Sequence, residues 1–376
     1  YHITVRATML MILSPAKSLR WEKVTARVTP TLPPFLTESD LVARALKSKT
    51  KNDLKKIMGI SDSLAALNFE RNQSYLLSKE AKKKSYGDPE LNMAVFAFDG
   101  PAYKGLDAES LNAEEMQYLQ ENLKILCGLY GVLRPCDLMQ QYRLEMGTKM
   151  NCGQSKDLYS YWTETITPYL SDQICNNQDE KVIVNLASQE YAKSVNLKRL
   201  EEEGVTVVNC IFKDRGRVLS VFAKRARGLM ARWCAQQRPA SVAALQGFDL
   251  EGYRFAAGQS TPTDLVFARD KPAPSSKTPR AKTSTKTKKG GMVKKQQHHT
   301  KEIKKETNDD DNTIPPAKNT TNKSRSSKKR NNSNDDKNTT KTEEDIAAGD
   351  FTKREEKGEE ANHILSSKRR RTAGRR

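Results

Sequence analysis

Between residues 3 and 270 this 376-residue chain has no histidine; its four are His2, His298, His299 and His363. That absence removes a Ser-His-Asp triad, a Cys-His pair and every histidine-ligated metal site from the part of the chain able to fold. Chemistry there is left to carboxylates, Lys, Arg, Tyr or Cys, or involves no covalent step. The six cysteines, Cys127, Cys136, Cys152, Cys175, Cys210 and Cys234, form no CxxC and no metal-type cluster, so neither a metal nor a cofactor is expected. No GxxxxGK[ST] loop is present to cradle a phosphate. No secretory h-region and no long apolar run occurs, so no membrane partner is expected. Reduced thiols in a cytoplasmic or nuclear protein follow. A reactive thiol needs a depressed pKa, which nothing in the local sequence marks; buried, inert cysteine is the reading that composition favours.

Aromatics almost vanish after residue 270, where Lys, Thr, Ser, Asn and Glu take over. Such a segment cannot bury enough apolar surface to offset its ordering entropy, so 271–376 is expected to be a basic disordered tail. It holds 29 of the chain's 65 Lys and Arg but only 15 of its 46 Asp and Glu. Most of the formal charge of +19 therefore belongs to the tail. Within it, Lys353-Arg354 and Lys368-Arg369-Arg370-Arg371 are spaced as in a bipartite nuclear-localisation signal, which adds a nuclear destination to the cytoplasmic one. The same clusters can neutralise nucleic-acid phosphates without reading sequence. Residues 9–270 are ample for one sizeable core. Residues 1–8, which open on Tyr1, are left unassigned.

Strands and helices alternate through 9–270. Met9–Leu13 reads as a buried strand, and Glu38–Ser48 and Asp53–Met58 as helices after a proline-rich connector at 30–36. Met93–Phe98 reads as an apolar strand ended by the turn Asp99-Gly100-Pro101. Asn112 with Glu115 forms a capping box for a helix to Leu126. Ser155–Tyr169 is predicted helical. Lys181–Leu186 is a β-branched run followed by a helix capped by Ser188. Val205–Phe212 and Arg217–Phe222 are predicted to pair around Asp214-Arg215-Gly216, with Ala223–Cys234 a helix and Asp264–Phe267 a last strand. The pattern predicts a single α/β domain with a mixed sheet flanked by helices, the mixing attributed to the 205–222 hairpin.

Several motifs stand out within this frame. They are Ser14-Pro15-Ala16-Lys17; Gly128-Leu129-Tyr130-Gly131-Val132-Leu133-Arg134-Pro135 running on to Asp137, Arg143, Glu145 and Gly147; Lys156-Asp157-Leu158-Tyr159 with Trp162; Val184-Asn185-Leu186-Ala187-Ser188; and Phe222-Ala223-Lys224-Arg225-Ala226-Arg227-Gly228-Leu229-Met230. With Gly247-Phe248 and Glu251-Gly252-Tyr253, these resemble the YaaA family of peroxide-stress proteins, in order from about Met9 to Arg269. The resemblance implies protection from hydrogen peroxide, association with lower free iron, and DNA binding. It also makes a peroxide-sensing cysteine worth testing. The basic tail departs from the family's usual extent.

Each cluster has a functional reading and a structural one. Leu54 to Leu67 resembles a helix-hairpin-helix, in which Gly59 permits a tight turn, Lys55 and Lys56 meet DNA phosphates, and the second helix's N-terminus grips an anion. Ser61 stands where a second glycine belongs and Asp62 brings a negative charge, as in an ordinary capped hairpin. Lys224, Arg225 and Arg227, with Arg232, form either an anion-binding flank or a solvated helix face. Strand-end loops at Ser14–Lys17 and Asn185–Ser188 suggest one crevice lined by Lys17, Arg134, Arg143 and Lys193. Asp137 and Glu145, with Asp157, are candidates for acid/base work or Mg²⁺ binding, or else ion-pair partners of Arg134, Arg143 and Lys156. The expected function is peroxide-stress protection with largely sequence-independent DNA binding. The alternative is an enzyme that takes a phosphorylated or nucleotide-like small anion in a basic cleft.

Overall fold

In the computed structural model, described for residues 8–24, 28–175 and 180–270, the central strands are near-continuous apolar runs, as expected of parallel strands covered on both faces. β1 (Thr8–Leu13) is followed by α1 (Leu36–Lys47), α2 (Lys51–Met58), α3 (Asp62–Ser74) and α4 (Ser78–Ala81). Next come β2 (Asn92–Met93), α5 (Ala94–Ala97), α6 (Pro101–Leu106) and α7 (Ala113–Asn122), then β3 (Leu123–Cys127), β4 (Gly131–Leu133) and β5 (Leu138–Met139). α8 (Leu158–Cys175), β6 (Lys181–Leu186), α9 (Gln189–Ala192), α10 (Leu197–Glu202) and β7 (Thr206–Asp214) lead to α11 (Ser220–Gln237), α12 (Val242–Leu245), β8 (Arg254–Phe255) and β9 (Asp264–Arg269).

Seven strands form one sheet in the order β4-β3-β1-β6-β7-β9-β8. The five central strands are parallel, and the edge strands β4 and β8 run antiparallel to their neighbours. The fold is α/β with a mixed sheet, but the mixing arises at these edges. The expected 205–222 hairpin does not form: Arg217 makes a single bridge to Asp214, and Ser220 already starts α11. β7 pairs instead with β6 and β9, both parallel.

Two other elements differ from expectation. Met93–Phe98 is not a strand: Asn92 and Met93 pair with β5, Ala94–Ala97 closes a helical turn, and Phe98 makes one isolated bridge to Leu19. An apolar run buried throughout has no periodicity to separate the two conformations. The capping box at Asn112 and Glu115 is present, with both backbone bonds at 2.9 Å, yet its helix ends at Asn122 and passes directly into β3. α8 starts and ends later than predicted and contains Pro168.

β1 lies between β3 and β6, so the chain leaves it to one side and later returns on the other. A topology of that kind opens a crevice at the carboxyl ends of the strands. α7 and α11 pack on one another and on the sheet, as do α8 and α10. α11 is held against α6 through glycines: a Cβ on Gly228 would meet Ala102 O at 1.7 Å, and one on Gly105 would meet Arg225 O at 2.2 Å.

Candidate functional site

At the carboxyl ends of β1 and β6 the chain turns away through Ser14-Pro15-Ala16-Lys17 and Ala187-Ser188. These turns are held by short-range chemistry. The Asn185 side chain accepts from Ala187 N–H at 3.0 Å and donates to Asn209, which donates to Asp264 at 2.8 Å. This amide ladder crosses three adjacent strands in register. Ser188 N–H donates to Ser14 Oγ at 2.9 Å, which donates to Ser188 Oγ at 3.3 Å. The Ser188 side chain therefore ties the two loops together and, contrary to the expectation from sequence, does not cap α9.

The tied loops floor a pocket of about 250 Å³. Its cationic lining is Lys17, Arg143, Lys224 and Arg227. Glu145 bridges two of them, at 3.1 Å from Lys17 Nζ and 3.2 Å from an Arg143 terminal nitrogen. Glu190 accepts from Gly147 N–H at 3.0 Å. Lys224 is exposed. Arg227 makes no ion pair among the described residues, and burial lowers its pKa from the usual value, opposed only by the Cys210 thiol. The Nε of Arg143 and that of Arg227 are both buried without a hydrogen-bond acceptor. A buried donor with no acceptor costs about 1–3 kcal/mol, more when charged. An anion entering this pocket could relieve that cost.

Tyr103, Tyr142 and Tyr191 supply aromatic wall. The Tyr103 hydroxyl donates to Ser14 O at 3.2 Å, and that of Tyr142 lies 2.8 Å from Cys127 Sγ. Burial raises the pKa of all three tyrosines well beyond the ordinary phenol value. It also pushes the Cys127 and Cys152 thiols up to about 11 and those of Cys136 and Cys210 to about 12, and raises Cys234 further. None of these five buried thiols has the depressed pKa of a peroxide sensor.

Other candidates lie elsewhere. Arg134 is not in the pocket lining: its guanidinium and backbone N–H both bind Asp137, which also accepts from Thr31 at 2.6 Å. Asp137 is fully buried there, and burial raises its pKa against the lowering effects of Arg134 and Thr31. Asp137 is thereby separated from Glu145, and Asp157 accepts from Ser160 N–H at the start of α8. Arg225 lies outside the lining, its Nε and one terminal nitrogen both donating to a single Glu251 carboxylate oxygen at 2.8 and 2.6 Å. Arg232 donates to the carbonyls of Leu106 and Asp107, clasping α6, and Lys193 ends α9 outside the lining.

α2 and α3 form a helical hairpin in which Gly59 is left-handed at φ 60°. The Ser61 side chain caps α3, and Lys55 pairs with Asp62 at 2.9 Å. Lys56 is exposed. One N–H at the start of α3, that of Leu64, and one of the hairpin's two lysines are thus already engaged within the chain. Lys353, Arg354, Lys368, Arg369, Arg370 and Arg371 lie outside the described residues. No helix among the described residues is long and apolar enough to cross a membrane, and no three His, Cys, Asp or Glu among them group as metal ligands.

The sequence did not single out Asp99–Tyr103 or Tyr191 as pocket wall, and it marked Tyr142 only as a member of the 128–147 motif. The one available signal was the Asp99-Gly100-Pro101 turn: a Cβ at Gly100 would meet Ala16 Cβ at 2.8 Å, which brings this turn against the Ser14–Lys17 loop.

A sequence model described as peroxide stress protein YaaA matches residues 9–259. The chain is 45% identical over 268 residues to a protein of Albidiferax ferrireducens named UPF0246 protein, spanning 70% of this chain and 99% of that one. A UPF0246 protein of Chromobacterium violaceum is 43% identical over 267 residues, 70% of this chain and all of its own length. One of Flavobacterium johnsoniae is 42% identical over 265 residues, 69% of this chain and again its full length.

Proposed function

From the membership of this chain in the peroxide stress protein YaaA family, we propose that it protects against hydrogen peroxide by binding DNA through its phosphates, with little regard for base sequence, and by helping to keep free iron low. The observation that carries the DNA reading is the cationic pocket at the carboxyl ends of β1 and β6. Four bases line it, and two of them, Arg143 and Arg227, hold a buried Nε donor without an acceptor. Phosphate oxygens suit such donors, and a guanidinium binds phosphate through charge-assisted, often bidentate hydrogen bonds. Lys56 on the α2–α3 hairpin, and the basic segment after residue 270, supply further charge for a contact that positions DNA without reading it.

The test is the salt dependence of duplex binding by the full chain. Each phosphate contact contributes about 0.9 to the slope of log affinity against log salt. Arg143→Gln and Arg227→Gln should each lower the slope by about one and weaken unrelated sequences equally. Unchanged slopes in both variants would refute the reading.

One observation favours a second reading, an enzyme acting on a phosphorylated or nucleotide-like small molecule. The pocket measures about 250 Å³, which suits a small molecule and offers a duplex only phosphates presented at its mouth, and the Glu145 carboxylate stands between two of its bases. Binding of nucleoside monophosphates with no affinity for DNA would favour this reading over the first.

A further inference from the structure

Residues 215–222, between β7 and the first turn of α11, are exposed without interruption. They contain Val218, Leu219, Val221 and Phe222, four of the seven large apolar side chains that the described residues leave exposed. Val218 and Val221 are 56% and 63% exposed. Apolar groups concentrated in this way mark contact surfaces. Bases flank the tip, with Arg215 and Arg217 on one side and Lys224 and Arg227 on the other. On α11, Val221, Lys224 and Arg227 recur every three residues and so share one side of the helix. The last two line the pocket, which places the apolar tip about one turn from its lining.

Apolar wedges flanked by cations are used to part base steps while the cations hold the phosphates. Proteins that handle a single base take it out of the stack into a pocket with apolar or aromatic walls. Both parts are adjacent here. With the hydroxyls of Tyr103 and Tyr142 engaged, their rings are left as wall. An anionic lipid surface would also suit a basic, apolar tip, but a flat surface has no use for an adjoining pocket with tyrosine walls. We propose that the 218–222 tip enters DNA at a weakened base step and that one displaced nucleotide occupies the pocket, its phosphate on Arg143, Lys224 and Arg227. The proposal rests on the DNA reading above.

The experiment titrates the full chain into two duplexes of one sequence carrying 2-aminopurine, matched in one and mismatched in the other. Vesicles of phosphatidylserine and phosphatidylcholine form a separate arm. Fluorescence should rise on binding as the base leaves the stack. The mismatched duplex should bind about tenfold more tightly, because less pairing must be broken. The double variant Val218→Ser, Val221→Ser should lose most of the rise and the mismatch preference. Leu32→Ser, at an exposed apolar site outside the tip, should lose neither. Salt-dependent duplex binding with no fluorescence change and no mismatch preference would overturn the proposal and leave the DNA reading standing. Failure to bind any duplex would overturn both. Vesicle binding without DNA binding would assign the tip to a lipid surface and overturn the proposal as well.

Discussion

Replacing Gly228 with alanine tests whether the packing of α6 on α11 sets the pocket. The substitution favours the helix locally, since alanine exceeds glycine by about 1 kcal/mol in a helix interior. Against this, the new Cβ would lie 1.7 Å from Ala102 O and 2.8 Å from Leu106 N. These atoms are backbone and cannot swing aside, so α6 must retreat by about 1.3 Å to reach the 3.0 Å below which such contacts are essentially never found. Retreat is opposed by Arg232, whose hydrogen bonds to Leu106 O and Asp107 O hold the end of α6 against α11. Overpacking costs about 1–3 kcal/mol, and a backbone clash this close belongs at the upper end. The net is a loss of about 2 kcal/mol, or about 4–8 °C in Tm at about 2–4 °C per kcal/mol for a domain of this size. Pro101, Ala102 and Tyr103 line the pocket from α6, as Lys224 and Arg227 do from α11, so the folded variant should also bind DNA less tightly. Urea and thermal unfolding followed by circular dichroism give the stability. Gly258→Ala, where an added Cβ meets nothing within 4 Å, is the control and should stay within about 0.5 kcal/mol of the parent. A Gly228→Ala protein as stable as the parent would refute the argument.

Asp137→Asn should destabilise by about 3 kcal/mol in urea, because it leaves Arg134 short of its partner in a buried ion pair, while DNA affinity per folded molecule stays the same; lost affinity at full stability would reverse the assignment. Glu145→Gln frees Lys17 and Arg143 and should tighten duplex binding about fivefold, for an interaction worth about 1 kcal/mol; weaker binding would mean that the carboxylate itself serves the ligand. Lys55→Gln with Lys56→Gln should lower the salt slope by about one to two units, mostly through Lys56 because Lys55 is paired to Asp62; an unchanged slope would make the hairpin purely structural. Lys124 is buried in β3, and burial lowers its pKa to about 8, below its unfolded value of about 10.4. Stability present above pH of about 10 is therefore lost as pH falls to about 8, a cost of about 3 kcal/mol. Lys124→Met gives up about 1 kcal/mol with the hydrogen bond to Glu121 O, so it should be more stable than the parent by about 2 kcal/mol at pH 7 by urea unfolding. That advantage should vanish by about pH 10, and a pH-independent difference would refute it.

What the sequence made legible follows from how local each signal is. β1, β6 and β9 are short apolar or β-branched runs between turn residues, and the Asn112–Glu115 box marks a helix start by itself. β3 was hidden because Leu123-Lys124-Ile125-Leu126 continues a helix with no glycine or proline to stop it, and because a buried lysine is not expected in a central strand. The 205–222 hairpin was suggested by a genuine turn at Arg215-Gly216, yet β7's partner β9 comes fifty residues later, beyond any local pattern. At the site, strand-end logic brought Lys17, Arg143 and Ser188 toward one crevice, but Arg134 and Asp137 are three residues apart and satisfy one another first. Tyr103 and Tyr191 become neighbours only through the sheet. Phe222 is the instructive case. Its spacing to Ala226, Leu229 and Met230 reads as core, and those three are buried, whereas Phe222 and its neighbours Val218, Leu219 and Val221 remain exposed. A core pattern that continues into solvent conflicts with the rest of the helix. Such conflicts between local pattern and tertiary placement gather where a protein meets something else, which makes this tip the place to look for what the chain binds.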